Sequence, residues 1–158
     1  FQMIRIPYGR GKTAMYVFLP DEEIEINNFI KSLSCDLLNK SISEAEDIDT
    51  ILKFPRFSIE YGTKSLIGSL KSLGMINAFI ADKADFSSIA PLMFISQIDH
   101  KAIIEVNEEG TVAVAASGSF QGFLAERPAD FIVNRPFVLL IRDDRTGNIL
   151  FMGKILEP

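Results

Sequence analysis

The sequence predicts an α+β fold, mostly antiparallel β-sheet with about three short helices. Residues 92–106 alternate between apolar and polar side chains, which is typical of a strand with one buried face. Near the amino end, two apolar runs flank the tetrapeptide Tyr8-Gly9-Arg10-Gly11, and this turn signal predicts a hairpin. Three further stretches place apolar residues at helical spacing, which predicts the short helices.

The first part of the chain is predicted to hold the hairpin and two helices. The hairpin strands are residues 1–7 and 12–19. Asp21 is a candidate N-cap for a helix that reaches about Leu33, because its carboxylate accepts bonds from the free N–H groups of a first turn. Ser34 is the candidate N-cap of a second short helix that runs through Leu38.

The rest of the chain is predicted to hold the third helix and most of the strands. Residues 52–61 are extended, with Pro55 marking an edge or a bend, and a helix around residues 66–73 stops at Gly74. The strand at residues 92–106 is the clearest. Three more strands are predicted after it, with a turn over residues 143–148 between the last two, at residues 131–134, 136–142 and 149–155.

Composition limits the classes of protein to which the chain can belong. It has 158 residues, enough for one domain with a sizeable core, with 47% apolar and 23% charged residues. The net charge of −5 and the lack of a basic stripe argue against a nucleic-acid partner. The sequence contains no run of about 18 apolar residues, so it predicts no membrane span. The single cysteine, Cys35, cannot form an internal disulfide and leaves the compartment open.

No group of residues predicts an enzyme, a metal site or a cofactor. His100 is the only histidine and lies on the apolar face of its strand, so we interpret it as a hydrogen-bonded core residue. A catalytic role would need a nucleophile and an orienting acid beside it. Cys35 is interpreted as an inert helix residue. The acidic run over residues 44–49 lacks the glycine and the spacing of a calcium loop and is interpreted as a solvated loop.

Residues 106–125, VNEEGTVAVAASGSFQGFLA, are the most informative stretch. Between Glu109 and Glu126 there is neither a charge nor a proline, and the small and β-branched residues suit either a strand or a mobile loop. If the stretch is extended, one face holds only small residues and the other holds two valines. The small face is Thr111, Ala113, Ala115 and Ser117, and the opposite face is Val112, Val114 and Ala116. One reading is a buried strand followed by a Gly/Ser turn; the other is a segment used for strand insertion.

Two longer stretches resemble the serpins, the serine protease inhibitor family. They are HKAIIEVNEEGTVAVAAS at residues 100–117 and NRPFVLLIRDDRTGNILFMGKILEP at residues 134–158. Residues 4–22 and 52–79 resemble earlier parts of the same family, in the family's order. A complete serpin domain is more than twice this long. The resemblance therefore implies that residues 1–158 are the C-terminal part of a single serpin domain, with the N-terminal part absent from this chain.

The resemblance assigns roles to particular residues. It implies a reactive-loop hinge made of Glu108, Glu109, Gly110, Thr111, Val112, Ala113, Val114, Ala115, Ala116 and Ser117. Val112 stands where a glutamate is usual and Val114 where an alanine is usual, but the small face is kept. Arg56 matches the basic residue that pairs with Glu108 at the top of the sheet, which implies a partly buried pair; the alternative is an exposed pair. His100 matches the histidine under the centre of that sheet, where it opens.

The resemblance also implies a mechanism and its partners. A target serine protease attacks the loop, forms an acyl-enzyme and is trapped when the loop inserts as a new strand. The usual loop length places the reactive bond at Leu124–Ala125, with the bonds one residue to either side as alternatives. Leu124 favours chymotrypsin-, elastase- or subtilisin-like targets. The other implied partner is the missing N-terminal part of the domain. The alternative is a non-inhibitory serpin that acts as a carrier, chaperone or storage protein.

Overall fold

The computed structural model describes residues 1–107 and 128–158. These residues form two compact units, Phe1–Phe57 with Val106–Pro158, and Ser58–Glu105. The helices are α1 (Ile26–Ser32), α2 (Cys35–Ser43) and α3 (Ile67–Ser72), with a 3-10 turn at Asn77–Phe79. The strands are β1 (Gln2–Tyr8), β2 (Thr13–Leu19), β3 (Thr50–Lys53), β4 (Phe57–Ser65), β5 (Asp99–Val106), β6 (Ala129–Ile132), β7 (Phe137–Asp143) and β8 (Ile149–Ile155). The predicted fold class is confirmed.

A four-stranded antiparallel sheet in the order β1-β2-β7-β8 forms the first unit's core. The predicted hairpin joins β1 to β2, and Ile6 lies opposite Met15. Every residue from Ala14 to Leu19 is buried, which explains why this run is apolar without alternation. The neighbouring strand β7 is buried from Phe137 through Leu140. The two central strands are therefore covered on both faces.

Helices α1 and α2 supply the cover for one face of this sheet. Ile26 and Phe29 of α1 pack with Tyr16, Phe18 and the β7 strand in one apolar cluster. The side chain of Ser34 accepts a bond from the N–H of Leu37, so the predicted cap of α2 is confirmed. The predicted cap of α1 is wrong. Residues 21–24 form a turn closed by the N–H of Ile24 on the carbonyl of Asp21, and Glu25 caps the helix instead.

The extended segment predicted at residues 52–61 is two strands. β3 pairs in parallel with β6, and the N–H of Val133 continues this ladder to the carbonyl of Lys53. Phe54, Pro55 and Arg56 then interrupt the strand, and β4 pairs with a different neighbour, β5. Pro55 has no N–H to donate to a ladder, which makes this the natural point for the chain to change partners.

The second unit contains all of the β4–β5 pair except Phe57 and Val106, together with α3 and the 3-10 turn. Glu60 and Lys101 form an ion pair between the two strands, and the N–H of Leu66 donates to the carbonyl of Ile98 at 2.9 Å. Gly74, at φ +96°, ends α3 as predicted, because this left-handed conformation favours glycine. The predicted strand at residues 92–106 starts only at Asp99. Leu92 has φ +57°, which is incompatible with a strand.

One carboxylate connects the hairpin to the carboxyl-terminal strands. Asp144 accepts bonds from the Tyr16 hydroxyl at 2.7 Å and from the Arg5 guanidinium at 2.8 and 3.1 Å. Arg5 also donates to the carbonyl of Gly11 at 3.0 Å. Burial by itself raises the pKa of Asp144. The bonds from Tyr16 and Arg5, with attraction to Arg5 and Arg142, outweigh burial and hold that pKa below its usual value.

We expect Asp144→Asn to lower the free energy of unfolding at pH 7 by about 1–3 kcal/mol, the value of hydrogen bonds to a charged group. Because the folded-state pKa is depressed, the contribution is present above the unfolded pKa of about 4 and is lost as pH falls toward the folded value. Denaturant unfolding at pH 7 and at pH 3 should therefore show that the difference in free energy of unfolding between parent and variant is smaller at pH 3. Asp143→Asn, which removes bonds to exposed Arg145, is the control and should change stability little. An equal difference in free energy of unfolding at both pH values would contradict the stabilising role of the ionised Asp144.

Candidate functional site

The candidate reactive segment falls between β5 and β6. Val106, the last residue of β5, is buried, and Asn107 is half-buried. The hinge at residues 108–117 and the reactive bond Leu124–Ala125 lie outside the described residues. Ala129 begins β6, which is anchored by its parallel pairing to β3. The segment is therefore attached at both ends to the first unit.

An open cleft of about 1270 Å³ in the first unit holds both attachment points. Val106, Asn107 and Ala129 line it, and so does Arg56. The cleft also runs along β1, from Gln2 to Pro7. Its charged lining is mainly acidic, with two arginines, and comprises Glu44, Glu46, Asp47, Asp49, Asp130, Arg5 and Arg56. The residue expected to pair with Glu108 thus lines the same cleft as the two residues that precede Glu108.

Arg56 occupies the interruption between β3 and β4, where two aromatic residues flank the Pro55-Arg56 pair. The rings of Phe54 and Phe57 lie 6.1 Å apart and both contact Phe137. Arg56 itself is exposed, whereas the sequence analysis expects it in a partly buried pair. The pair with Glu108 stays a prediction because Glu108 lies outside the described residues.

His100 is exposed in this chain, whereas the sequence analysis interprets it as a core histidine, and that interpretation stays a prediction for the complete domain. The alternation of apolar and polar residues along β5 does identify the more buried face of the strand. On that face Ala102 and Ile104 are half-buried and Val106 is buried. Burial increases along β5 toward Val106, and His100 is its second residue. The described part of the chain packs too little on that end of the strand to cover the imidazole.

The described residues present no group of metal ligands. Within residues 1–107 and 128–158, no three or more His, Cys, Asp or Glu side chains come together as metal ligands. Cys35 is exposed at the start of α2 and forms no disulfide. None of the helices in the described ranges is long and apolar enough to cross a bilayer.

Comparison with known proteins identifies the family to which the chain belongs. A family model for "Serpin (serine protease inhibitor)" matches residues 1–158. The chain belongs to the serpin family.

Individual relatives agree with this assignment. Serpin B10 of Otolemur garnettii is 36% identical over 162 residues, which cover 98% of this chain and 40% of that protein. Leukocyte elastase inhibitor A of Mus musculus is 34% identical over 166 residues, covering 99% and 44%. The native crystal structure of the thermophilic serpin tengpin is 34% identical with a TM-score of 0.79, covering 99% of this chain and 42% of that one. The chain thus spans less than half the length of these relatives.

Proposed function

We propose that residues 1–158 are the C-terminal part of a single inhibitory serpin domain, which traps a serine protease by loop cleavage and insertion. The main observation behind this proposal is the cleft that holds Arg56 together with Val106 and Asn107. Arg56 thus lines the same cleft as the two residues that immediately precede Glu108 in the sequence. The small face of the hinge, Thr111 to Ser117, suits burial between strands.

The chemistry begins with the target protease. Its serine oxygen attacks the carbonyl carbon of Leu124, and an ester forms as the amide bond to Ala125 breaks. The amine of Ala125 leaves with a proton from the protease histidine. The freed hinge then enters the sheet as a new strand, and the attached protease is carried and distorted before water hydrolyses the ester. This chain supplies the bait bond and the inserting strand, and it performs no catalysis of its own.

The rest of the serpin domain is the proposed partner within the protein. On the edge strand β8, Leu150 is 53% exposed and Met152 is 61% exposed, and the neighbouring Ile149 and Phe151 are exposed as well. Four consecutive exposed apolar residues are unusual on the surface of a complete folded domain. The missing part of the domain would cover apolar surface of this kind and would supply the strands beside which the hinge inserts.

The target class follows from Leu124. An apolar side chain fills the specificity pocket of chymotrypsin-, elastase- or subtilisin-like proteases, whereas trypsin-like pockets require a cation. A similar protein, the mouse relative, carries the name leukocyte elastase inhibitor A. We propose a target of this apolar-preferring class.

Exchange of the proposed pocket residue tests both the bond and the target class. In the complete serpin, Leu124→Arg should slow complex formation with chymotrypsin by about a hundredfold and should create complex formation with trypsin. Phe123→Arg is the matched control, because it leaves Leu124 in the pocket and should keep chymotrypsin trapping. Rates are measured from loss of protease activity. If Phe123→Arg abolishes chymotrypsin trapping and Leu124→Arg does not, the reactive bond lies one residue earlier.

The alternative is a non-inhibitory serpin that serves as a carrier, chaperone or storage protein. Non-inhibitory members often carry bulky, charged or proline residues in the hinge, and residues 111–117 contain none of these beyond two valines on the outward face. This composition favours the inhibitor. Excess chymotrypsin separates the two functions, since a non-inhibitory serpin forms no detergent-stable complex.

A further inference from the structure

The tripeptide Asn39-Lys40-Ser41 lies within helix α2 and has no part in the proposed function. An asparagine that is followed two residues later by serine or threonine, with no proline between them, is an acceptor for N-linked glycans. Of all the asparagines in the chain, only Asn39 has a serine or threonine at this spacing. We call the tripeptide the acceptor sequence.

Asn39 lies on the outward side of α2. Leu38 and Ile42 pack against the apolar cluster that α1, β2 and β7 form, whereas Asn39 and Lys40 are exposed. The helix turns by about 100° at each residue, so Asn39 points away from the side that meets the sheet. A large polar group on its amide nitrogen would therefore extend into solvent and leave the packing of α2 unchanged.

The hydroxyl of the acceptor sequence is engaged inside the folded helix. Ser41 Oγ donates to the carbonyl oxygen of Leu37 at 2.9 Å, and Ser41 is half-buried whereas Asn39 is exposed. In an extended chain, by contrast, residues two positions apart lie on the same side. An enzyme that recognises both side chains at once therefore requires this segment before α2 has formed.

The order of synthesis leaves time for such a reaction. Helix α2 has nine residues, and an isolated helix of that length is unstable in water. The cluster that supports it includes Val138 and Leu140 of β7, about 100 residues further along the chain. At the usual rate of synthesis, that length of chain takes roughly 5–20 s to make. The acceptor sequence stays accessible during that interval.

We propose that Asn39 is an N-glycosylation site, which is modified during synthesis before α2 packs on the sheet. The donor is an oligosaccharide joined through pyrophosphate to a membrane lipid. The Asn39 Nδ2 atom bonds to the anomeric carbon of the first sugar and loses a proton to a base of the transferring enzyme. The bond between that carbon and the pyrophosphate oxygen breaks, and the lipid pyrophosphate leaves with the electron pair. The inference is independent of protease trapping, and it implies that the complete serpin is secreted.

Mass spectrometry of the complete serpin tests the site. The protein is produced in secreting eukaryotic cells with its own N-terminal sequence, and the peptide that carries Asn39 is isolated. That peptide should carry a glycan, and its release by peptide-N-glycosidase in heavy-oxygen water should leave a labelled aspartate at this position. A peptide without glycan, from the medium or from the cells, would overturn the inference.

Serine variants of α2 provide matched controls. Ser41→Ala should lose the glycan as completely as Asn39→Gln does, whereas Ser41→Thr should keep it. Ser43 also donates to a helix carbonyl, that of Lys40 at 2.9 Å, but it lies outside the acceptor sequence, so Ser43→Ala should remain glycosylated. Loss of the glycan from Ser43→Ala, or its retention in Ser41→Ala, would contradict the assignment.

The order of events is tested with unglycosylated serpin made in bacteria. Incubated with permeabilised microsomes, the folded protein should accept no glycan at Asn39, whereas the same protein held unfolded should accept one. Equal transfer to the folded and unfolded forms would overturn the proposed timing. Because none of these measurements depends on chymotrypsin, their failure leaves the proposed inhibitory function standing.

Discussion

Thr111→Arg is expected to turn the complete serpin from a trap into a substrate. Thr111 lies on the small face of the hinge, so insertion would bury the new guanidinium without a partner at a cost of about 3–5 kcal/mol. Such a cost slows insertion by about a hundredfold or more. Hydrolysis of the acyl-enzyme is then faster than insertion of the hinge. After incubation with chymotrypsin, a denaturing gel should show cleaved protein instead of covalent complex, and the protease should regain its activity.

The neighbouring residue gives a matched control. Val112→Arg introduces the same charge one position later, on the face that points outward after insertion, and should keep trapping. The pair of variants therefore separates burial of the face from the presence of a charge. If Thr111→Arg traps chymotrypsin as well as the parent, or if neither variant traps it, the proposal that this face is buried on insertion is wrong.

Cleavage of the reactive bond is expected to raise the melting temperature of the complete serpin. The inserted hinge gains strand hydrogen bonds, each worth about 1 kcal/mol, and buries Ala113 and Ala115. Several such bonds together correspond to a rise on the order of 10 °C. Most proteins lose stability when their chain is cut, so the sign of the change is the diagnostic result. Melting is followed by circular dichroism before and after limited proteolysis.

The position of the cut must be established in the same experiment. Mass spectrometry of the released C-terminal peptide should place the first cut between Phe123 and Ala125. The Thr111→Arg variant, cut at the same bond, should gain less stability because its hinge inserts poorly. A fall in melting temperature after a cut at Leu124–Ala125 would favour a non-inhibitory serpin.

Local patterns in the sequence predicted most of the fold. Turn residues located the first hairpin, the side chain of Ser34 located the start of α2, and Gly74 located the end of α3. These signals work because they depend on backbone geometry within a few residues. The strands β7 and β8 were likewise recognised within about one residue of their bounds.

Errors arose where distant contacts decide the structure. Apolar alternation continued from 92 to 98, but Leu92 takes a left-handed conformation and Ile95 bonds to the carbonyl of Ala78, so β5 starts at Asp99. Pro55 indicated an edge or a bend, but no local pattern records that the chain changes strand partner there. His100 lies on the correct face, yet burial of that face depends on what packs against it.

The surroundings of the candidate site were only partly accessible to sequence reasoning. Resemblance identifies Arg56, but the contacts of its sequence neighbours Phe54 and Phe57 with Phe137 join residues at least 80 positions apart in the chain. The two phenylalanines on either side of Pro55-Arg56 are visible in the sequence, but no local pattern indicates that Phe137 contacts them. The hydrogen bonds of Arg5 and Tyr16 to Asp144 were missed for the same reason, since both residues lie far from Asp144 in sequence.

The central claim is that this chain carries the bait bond and the inserting strand of an inhibitory serpin. The most direct test is the mass of the product formed when the complete serpin meets a slight excess of chymotrypsin under denaturing analysis. The claim predicts a detergent-stable adduct whose mass is that of the serpin plus the protease, less the C-terminal peptide that begins at Ala125. Cleaved serpin together with fully active, unmodified chymotrypsin would contradict it.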